Sequence, residues 1–259
     1  MDKAGLISMK YKTIDTLKVA IDKVRPFDRD MLKQTQEYYR VGTTWSSNAI
    51  EGNTLTMSET KVILEDGITI GGKPLRDTLE AVGHAQAYDY MFTLLKSGKI
   101  DLGNILTLHK LFYEGIDSDN AGQYRKKSVM VSGTNFVFPA PVDIEKQMQE
   151  LEAWIENERG DCHPVEFAAL LHLKFVTIHP FIDGNGRTAR LLTNLALIQR
   201  GYLPVIVPPI LKMEYNDCIR QYQNGDNAQP FIDFIAEQEL ESEKEMIRLL
   251  HIDIEGDTK

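Results

Sequence analysis

Residues 164–178, PVEFAALLHLKFVTI, are apolar on almost every face, which marks a helix buried in the middle of a domain rather than one with a solvated side. They run into His179-Pro180-Phe181-Ile182-Asp183-Gly184-Asn185-Gly186-Arg187, after which an apolar helix resumes at Thr188 and is closed by Gly201. A polar, glycine-bearing loop thus joins two core helices, and the fold is expected to be all-α around that pair. Further out, helical periodicity recurs at residues 28–51, 56–66, 76–97, 101–115, 142–158, 187–200, 212–223 and 229–251. No internal repeat or long linker interrupts it. A single helical body at 73–240 is expected, with an N-terminal helical extension at 1–72 and a C-terminal helix and tail at 241–259. The stretch EQELESEKEMIRLL (237–250) reads as a solvated amphipathic helix before a frayed tail.

One segment departs from the helical period. Val129, Met130 and Val131 lead through Ser132-Gly133-Thr134-Asn135 into Phe136-Val137-Phe138, the pattern of a short β-hairpin, which Pro139 and Pro141 then stop. A lone two-stranded hairpin is marginal in water, so it must lean on the helices or lie over something.

A chain of 259 residues with 42% hydrophobic and 26% charged content can bury a large core without disulfide or metal support. Its formal net charge of −9 argues against a general affinity for polyanions, so no nucleic-acid partner is expected. Cys162 and Cys218 form no CxxC, fitting free thiols in a reducing compartment. The N-terminus lacks an uninterrupted apolar signal core, and no window reaches the roughly 18 apolar residues of a membrane span. Cytoplasmic residence and no membrane partner are expected.

The loop after the central helix carries chemistry. Gly184 and Gly186 permit backbone conformations closed to other residues, so consecutive N–H groups can face one anion at the positive end of the following helix. Arg187 and Arg190, three residues apart, suit forked contacts with phosphate oxygens, and two phosphates are expected. Asp183 offers a hard oxygen for Mg2+. His179 can take a proton near neutral pH. Together these parts describe attack by a hydroxyl on a phosphate of a nucleotide. Zinc chemistry is disfavoured, because His172 and His179 stand roughly 10 Å apart along a helix. His172 reads as core; His84, His109, His163 and His251 form no constellation.

HPFIDGNGRTAR, residues 179–190, matches the Fic family signature HPFx(D/E)GNGRxxR without departure. The similarity extends over residues 43–240, through AGQYR (121–125) ahead of the hairpin and the HPVEFAAL run (163–170). It is nearest to the Fic domains of the metazoan endoplasmic-reticulum AMP transferases and bacterial relatives, although no membrane anchor or TPR repeats are expected ahead of it here. The resemblance implies a Fic-type helical bundle and AMP transfer from Mg-ATP to a Ser, Thr or Tyr hydroxyl of a target protein. His179 would be the general base and Asp183 the metal ligand; Gly184, Asn185 and Gly186 would cradle phosphates; Arg187 and Arg190 would stabilise charge on the leaving end. The hairpin, with Val129, Met130 and Val131, would be the flap that docks the target by strand addition. Gly186 stands where the kinase-like Doc branch carries Lys, which favours AMP transfer. Tyr215 and Asn216, with Gln223, would line the nucleotide base pocket.

Ser47 and Glu51 lie one helical turn apart, with Gly52 as a C-terminal cap. A carboxylate in a helix's last turn opposes the macrodipole by up to about 1 kcal/mol, so it needs a cationic partner or open water. The segment resembles the family's inhibitory motif (S/T)xxxE(G/N), which implies a Glu51–Arg190 pair and an autoinhibited enzyme. Two alternatives remain at this level: removal of AMP from a modified target by the same site, and a nucleotide-sensing interaction module without catalysis. A homodimer through the region of Leu75 is expected from the same resemblance.

Overall fold

The computed structural model describes residues 3–131 and 133–253. Ten α-helices follow in order: α1 (Lys3–Asp22), α2 (Arg29–Ile50), α3 (Met57–Lys61, continued by a π turn at Val62–Asp66), α4 (Leu75–Thr93), α5 (Leu102–Tyr113), α6 (Ile144–Glu158), α7 (Pro164–Ile178), α8 (Asn185–Ile198), α9 (Lys212–Gly225) and α10 (Gln229–Leu249). The all-α expectation holds. The segment expected at 164–178 is α7, which starts with Pro164 at its first position, where a missing N–H costs nothing.

α7 is the central strut. Ala168, Leu171, His172 and Phe175 have no exposed surface, and α7 packs against α8 on one side and α6 and α10 on others. Each large apolar side chain buried this way contributes about 1.5–3 kcal/mol. α2 lies across α4 and the start of α3, which brings its C-terminal end over the α7–α8 turn.

Three expectations need correction. Within the helical extension expected at 1–72 the periodicity marks no stretch ahead of residue 28, yet α1 spans Lys3–Asp22 and lays Ile14, Leu17 and Ile21 into the common core against α10. That contact also changes the reading of 237–250: Glu239 and Glu243 are buried rather than solvated, because α1 covers the face they occupy. The tail at 254–259 lies outside the described residues.

The third correction concerns the hairpin. Among the described residues, 129–131 and 133–138 contain no strand, and no ladder hydrogen bond joins the two limbs; Ser132 at the tip lies outside the described residues. The limbs are irregular backbone held at their roots. Arg125 donates to Lys127 O and Pro139 O, and the Phe138 ring rests 4.4 Å from that of His179. With no third strand to pair either limb, side-chain tethers replace the ladder.

Candidate active site

The α7–α8 turn is bounded by two residues in the left-handed region, His179 with φ 53° and Gly184 with φ 79°. For a histidine that conformation costs roughly 1–2 kcal/mol and must be held by its surroundings. Gly184 is required twice over, since a Cβ there would also stand 2.9 Å from Phe112 Cε1. Asn185 pins the loop: its Oδ1 accepts from Phe181 N (2.9 Å) and its Nδ2 donates to Phe181 O (2.8 Å). The N–H groups of Asn185, Gly186 and Arg187 have no backbone acceptor among the described residues. These are the unsatisfied donors of a helix N-terminus, which suit an anion.

Two cavities meet at this turn. One, of about 270 Å3, is lined by Glu51, His179, Gly186, Arg190, Lys212, Tyr215, Asn216 and Gln223 among others. The other, of about 330 Å3, is lined by Val129, Met130, Val131, Asp183, Gly184, Asn185 and Gly186. Glu51, Val131, His179 and Gly186 belong to both. Burial lowers the pKa of His179 to about 4, with the Arg125 charge adding to the effect and the Val176 carbonyl, 3.3 Å from Nδ1, opposing it. The imidazole is therefore neutral at pH 7 and able to accept a proton.

Arg190 is buried and bound at several points. Its Nε donates to Ser47 Oγ (2.8 Å), Nη2 to Ser47 O (2.9 Å) and Glu51 Oε1 (2.7 Å), and Nη1 to the Tyr215 hydroxyl (3.0 Å). Burial would raise the Glu51 carboxyl, but the Arg190 and Arg187 charges outweigh it and its pKa is lowered. Gly52, at φ 98°, ends α2 as expected: its N–H reaches Ala49 O and that of Asn53 reaches Asn48 O, the two bonds of a Schellman cap. The carboxylate that opposes the α2 dipole thus has its cation. Gly186 makes room for it, because a Cβ there would lie 2.5 Å from Glu51 Oε1.

Asp183 is half-exposed. It accepts from Gly184 N (2.6 Å), Arg76 Nη2 (2.8 Å) and Arg187 Nη2 (3.2 Å). Burial would raise its pKa, yet Arg187, Gly184 N–H and Arg76 bring it below the ordinary value, so the carboxylate is ionised and chemically suited to Mg2+. Arg187 lines neither cavity. Its guanidinium lies over the Phe112 ring at 4.4 Å and pairs with Glu80 (2.9 Å), which also takes Arg76 and Asn53.

Tyr215, Asn216 and Gln223 line the first cavity together, but the Tyr215 hydroxyl is spent between Arg190 and His172 Nε2 (2.8 Å). His172, fully buried as expected, is thereby linked to the site through one hydroxyl. His109 also belongs to it: stacked on Phe181 at 3.7 Å, it takes Gly122 N–H on Nδ1 and so presents Nε2–H to Asp183 O. Glu80, Arg76 and Lys212 are further additions. Their long separation from the loop in sequence hides them; only the glutamate and arginine one turn apart on α4 offer a signal.

Comparison with known proteins agrees with this geometry. Residues 99–197 match the Fic/DOC family. The protein adenylyltransferase Fic of Nematostella vectensis is 42% identical over 195 residues, covering 74% of this chain and 45% of that protein; the chain spans about half the length of the curated relatives it matches. Fic-1 from C. elegans superposes with a TM-score of 0.85 at 28% identity, covering 96% of this chain and 75% of that one. A Fic-domain-containing signaling protein from Bacteroides thetaiotaomicron gives 0.84 at 26% identity, covering 95% and 99%. A helix-to-helix turn of this sequence, folded this way, is shared with proteins that carry the same bundle, and residues 99–197 of this chain are a Fic/DOC family domain.

Proposed function

We propose that the chain is a protein adenylyltransferase restrained by its own Glu51. The observation that carries this reading is a neutral His179 at the junction of two cavities, beside unsatisfied N–H donors and the buried Arg190. A target Ser, Thr or Tyr hydroxyl gives its proton to His179 while its oxygen bonds to the α-phosphorus of ATP; the bond from that phosphorus to the bridging oxygen breaks, and pyrophosphate leaves. The N–H groups at 185–187 hold phosphate oxygens. Arg190, once free of Glu51, serves the terminal phosphate, and Tyr215 positions it. Asn216 and Gln223 wall the part of the cavity suited to the base. Asp183 would hold Mg2+, which would neutralise phosphate charge. Arg187 supports Asp183 from beneath instead of touching phosphate. Residues 1–72 then act as the regulatory extension, 73–240 as the catalytic part and 241–259 as the closing helix and tail.

The target enters over Val129, Met130 and Val131, with Met130 fully exposed. Leu75 (71% exposed) and Val82 lie on one face of α4 two turns apart, which supports a homodimer contact there. The two free cysteines fit residence in the cytoplasm. No helix among the described residues is long and apolar enough to cross a membrane.

Incubation of wild type, Glu51→Gly and His179→Ala with target lysate and ATP labelled at the α or γ position tests the reaction. Protein-bound α-label that depends on His179 is expected; label from the γ position alone would make the protein a kinase, and none from either would end the reading. One further observation favours removal of AMP as the opposite direction: ionised Glu51 lines both cavities beside His179 and could orient a water. Release of AMP from a modified target, lost in Glu51→Gly, would establish it.

A further inference from the structure

Arg125 is 3% exposed, and no carboxylate pairs with it among the described residues. A buried guanidinium without a counter-ion is costly, and an apolar side chain of similar volume would serve packing as well. Its donors go instead to three backbone carbonyls: Nε to His179 O (2.8 Å), Nη1 to Lys127 O (3.0 Å) and Nη2 to Pro139 O (2.7 Å). The backbone N–H of Arg125 adds a fourth bond, to Pro180 O (2.8 Å). Two of the side-chain acceptors mark where the irregular segment 127–139 begins and ends. The third belongs to the residue with the strained left-handed turn.

We propose that Arg125 is a positioning residue that fixes the His179 backbone and both roots of segment 127–139 with one guanidinium, so that base and target-docking segment keep a set distance. This rests on the adenylyltransfer reading for its consequence, but not for its geometry. The Phe138 ring, 4.4 Å from His179, closes the loop of contacts. With no strand ladder inside the segment, no backbone hydrogen bond among the described residues joins its two roots. Bonds from a charged donor are among the stronger hydrogen bonds a protein makes, and three of them hold such a segment where neutral ones would let it fray. Lysine cannot replace the fork, since its single ammonium cannot span three carbonyls on two sides.

Limited chymotryptic digestion of the full chain, with Arg125→Met and Arg125→Lys, tests the tether, because it reads the mobility of a segment whose amides make almost no hydrogen bonds. Cleavage within 127–139, at Met130, Phe136 and Phe138, is expected to quicken at least tenfold in both variants while 164–178 stays uncut, and the affinity for a non-hydrolysable ATP analogue is expected to stay within twofold. In a Glu51→Gly background, KM for the target should rise and kcat should fall, each by about tenfold, with Arg125→Lys recovering only a small part. Should Arg125→Met fail to fold, Arg125→Lys carries the same measurements. Unchanged cleavage in 127–139 in a folded variant overturns the proposal, as does unaltered transfer once the segment has loosened. A wild type without any transfer would remove the adenylyltransfer reading, and digestion would still decide the tether.

Discussion

Glu51 Oε1 accepts from Arg190 Nη2 at 2.7 Å, and the same nitrogen also reaches Ser47 O, so one helix end occupies the guanidinium that faces the cavity. An internal ligand of this kind competes with any incoming phosphate for the same donors. Removing it through Glu51→Gly should raise transfer of α-label roughly 10- to 100-fold, the range that a charge-assisted hydrogen bond of about 1.5–3 kcal/mol corresponds to. Ser47→Ala should give a smaller rise, because the Ser47 carbonyl remains. Equal rates for wild type and Glu51→Gly would remove the brake.

Asp183 meets two arginines where a divalent cation is expected, and they differ. Arg187 is buried beneath it, whereas Arg76 is more than half exposed and comes from α4. An exposed ion pair contributes up to about 1 kcal/mol, so Arg76→Ala should tighten Mn2+ binding in the presence of an ATP analogue by a few-fold, read by EPR titration of free Mn2+. Asp183→Asn should abolish the metal-dependent part. Weaker binding in Arg76→Ala would show that Arg76 supports the site rather than competing for it.

Legibility in the sequence follows the range of the interaction. The α7–α8 pair and its loop are legible because an all-apolar run and an adjacent glycine-bearing turn are local signals, and the Schellman cap at Gly52 is likewise written within one helix turn. α1 is not, because its apolar positions Ile14, Leu17 and Ile21 find their partner only in α10, more than 200 residues later. Two apolar triplets around a glycine-bearing turn in 129–138 specify extended backbone but not a strand partner, so they suggest a hairpin that is not found among the described residues, and the arginine that roots the segment acts through carbonyls that any sequence supplies. His109 is hidden for the same reason, since its bond to the Asp183 carbonyl spans 74 positions, and Glu80 shows in the sequence only its local pair with Arg76, not its pairing with Arg187.

Leu75 and Val82 give α4 an apolar face that no other described element covers. If a second copy covers it, Leu75→Asp should convert a dimer to a monomer at micromolar concentration in sedimentation velocity, since a carboxylate buried against apolar surface costs several kcal/mol. Thermal stability of the isolated chain should change little, as the residue is 71% exposed. An unchanged sedimentation coefficient would place the dimer contact elsewhere or remove it.

Protonation divides stability from catalysis in a way that titration can separate. Burial lowers His84 to about 3 and His109 and His179 to about 4, against about 6.5 in an unfolded chain. Between those values the unfolded chain binds more protons, so the stability these groups allow is complete above pH 6.5 and is lost as pH falls toward 4. The α10 carboxyls act with the opposite sign. Burial raises Glu243 to about 7, and burial together with Glu243 raises Glu239 well above the usual range, so the folded chain holds protons that the unfolded chain releases. Their contribution is full at low pH and is lost as pH rises through 7. Melting temperature should therefore peak between about pH 6 and 7, since every tenfold difference in proton affinity between the folded and unfolded chain is equivalent to about 1.4 kcal/mol. Glu243→Gln should flatten the alkaline side, raising the melting temperature at pH 8 by several degrees while leaving the acid limb intact. The transfer rate should not follow this curve, because a base with a pKa near 4 stays neutral throughout: between pH 8 and pH 6, kcat/KM of Glu51→Gly should lose less than twofold to protonation of His179. A tenfold loss over that interval would mean that His179 titrates near its ordinary value and that the burial around it does not persist in the working enzyme.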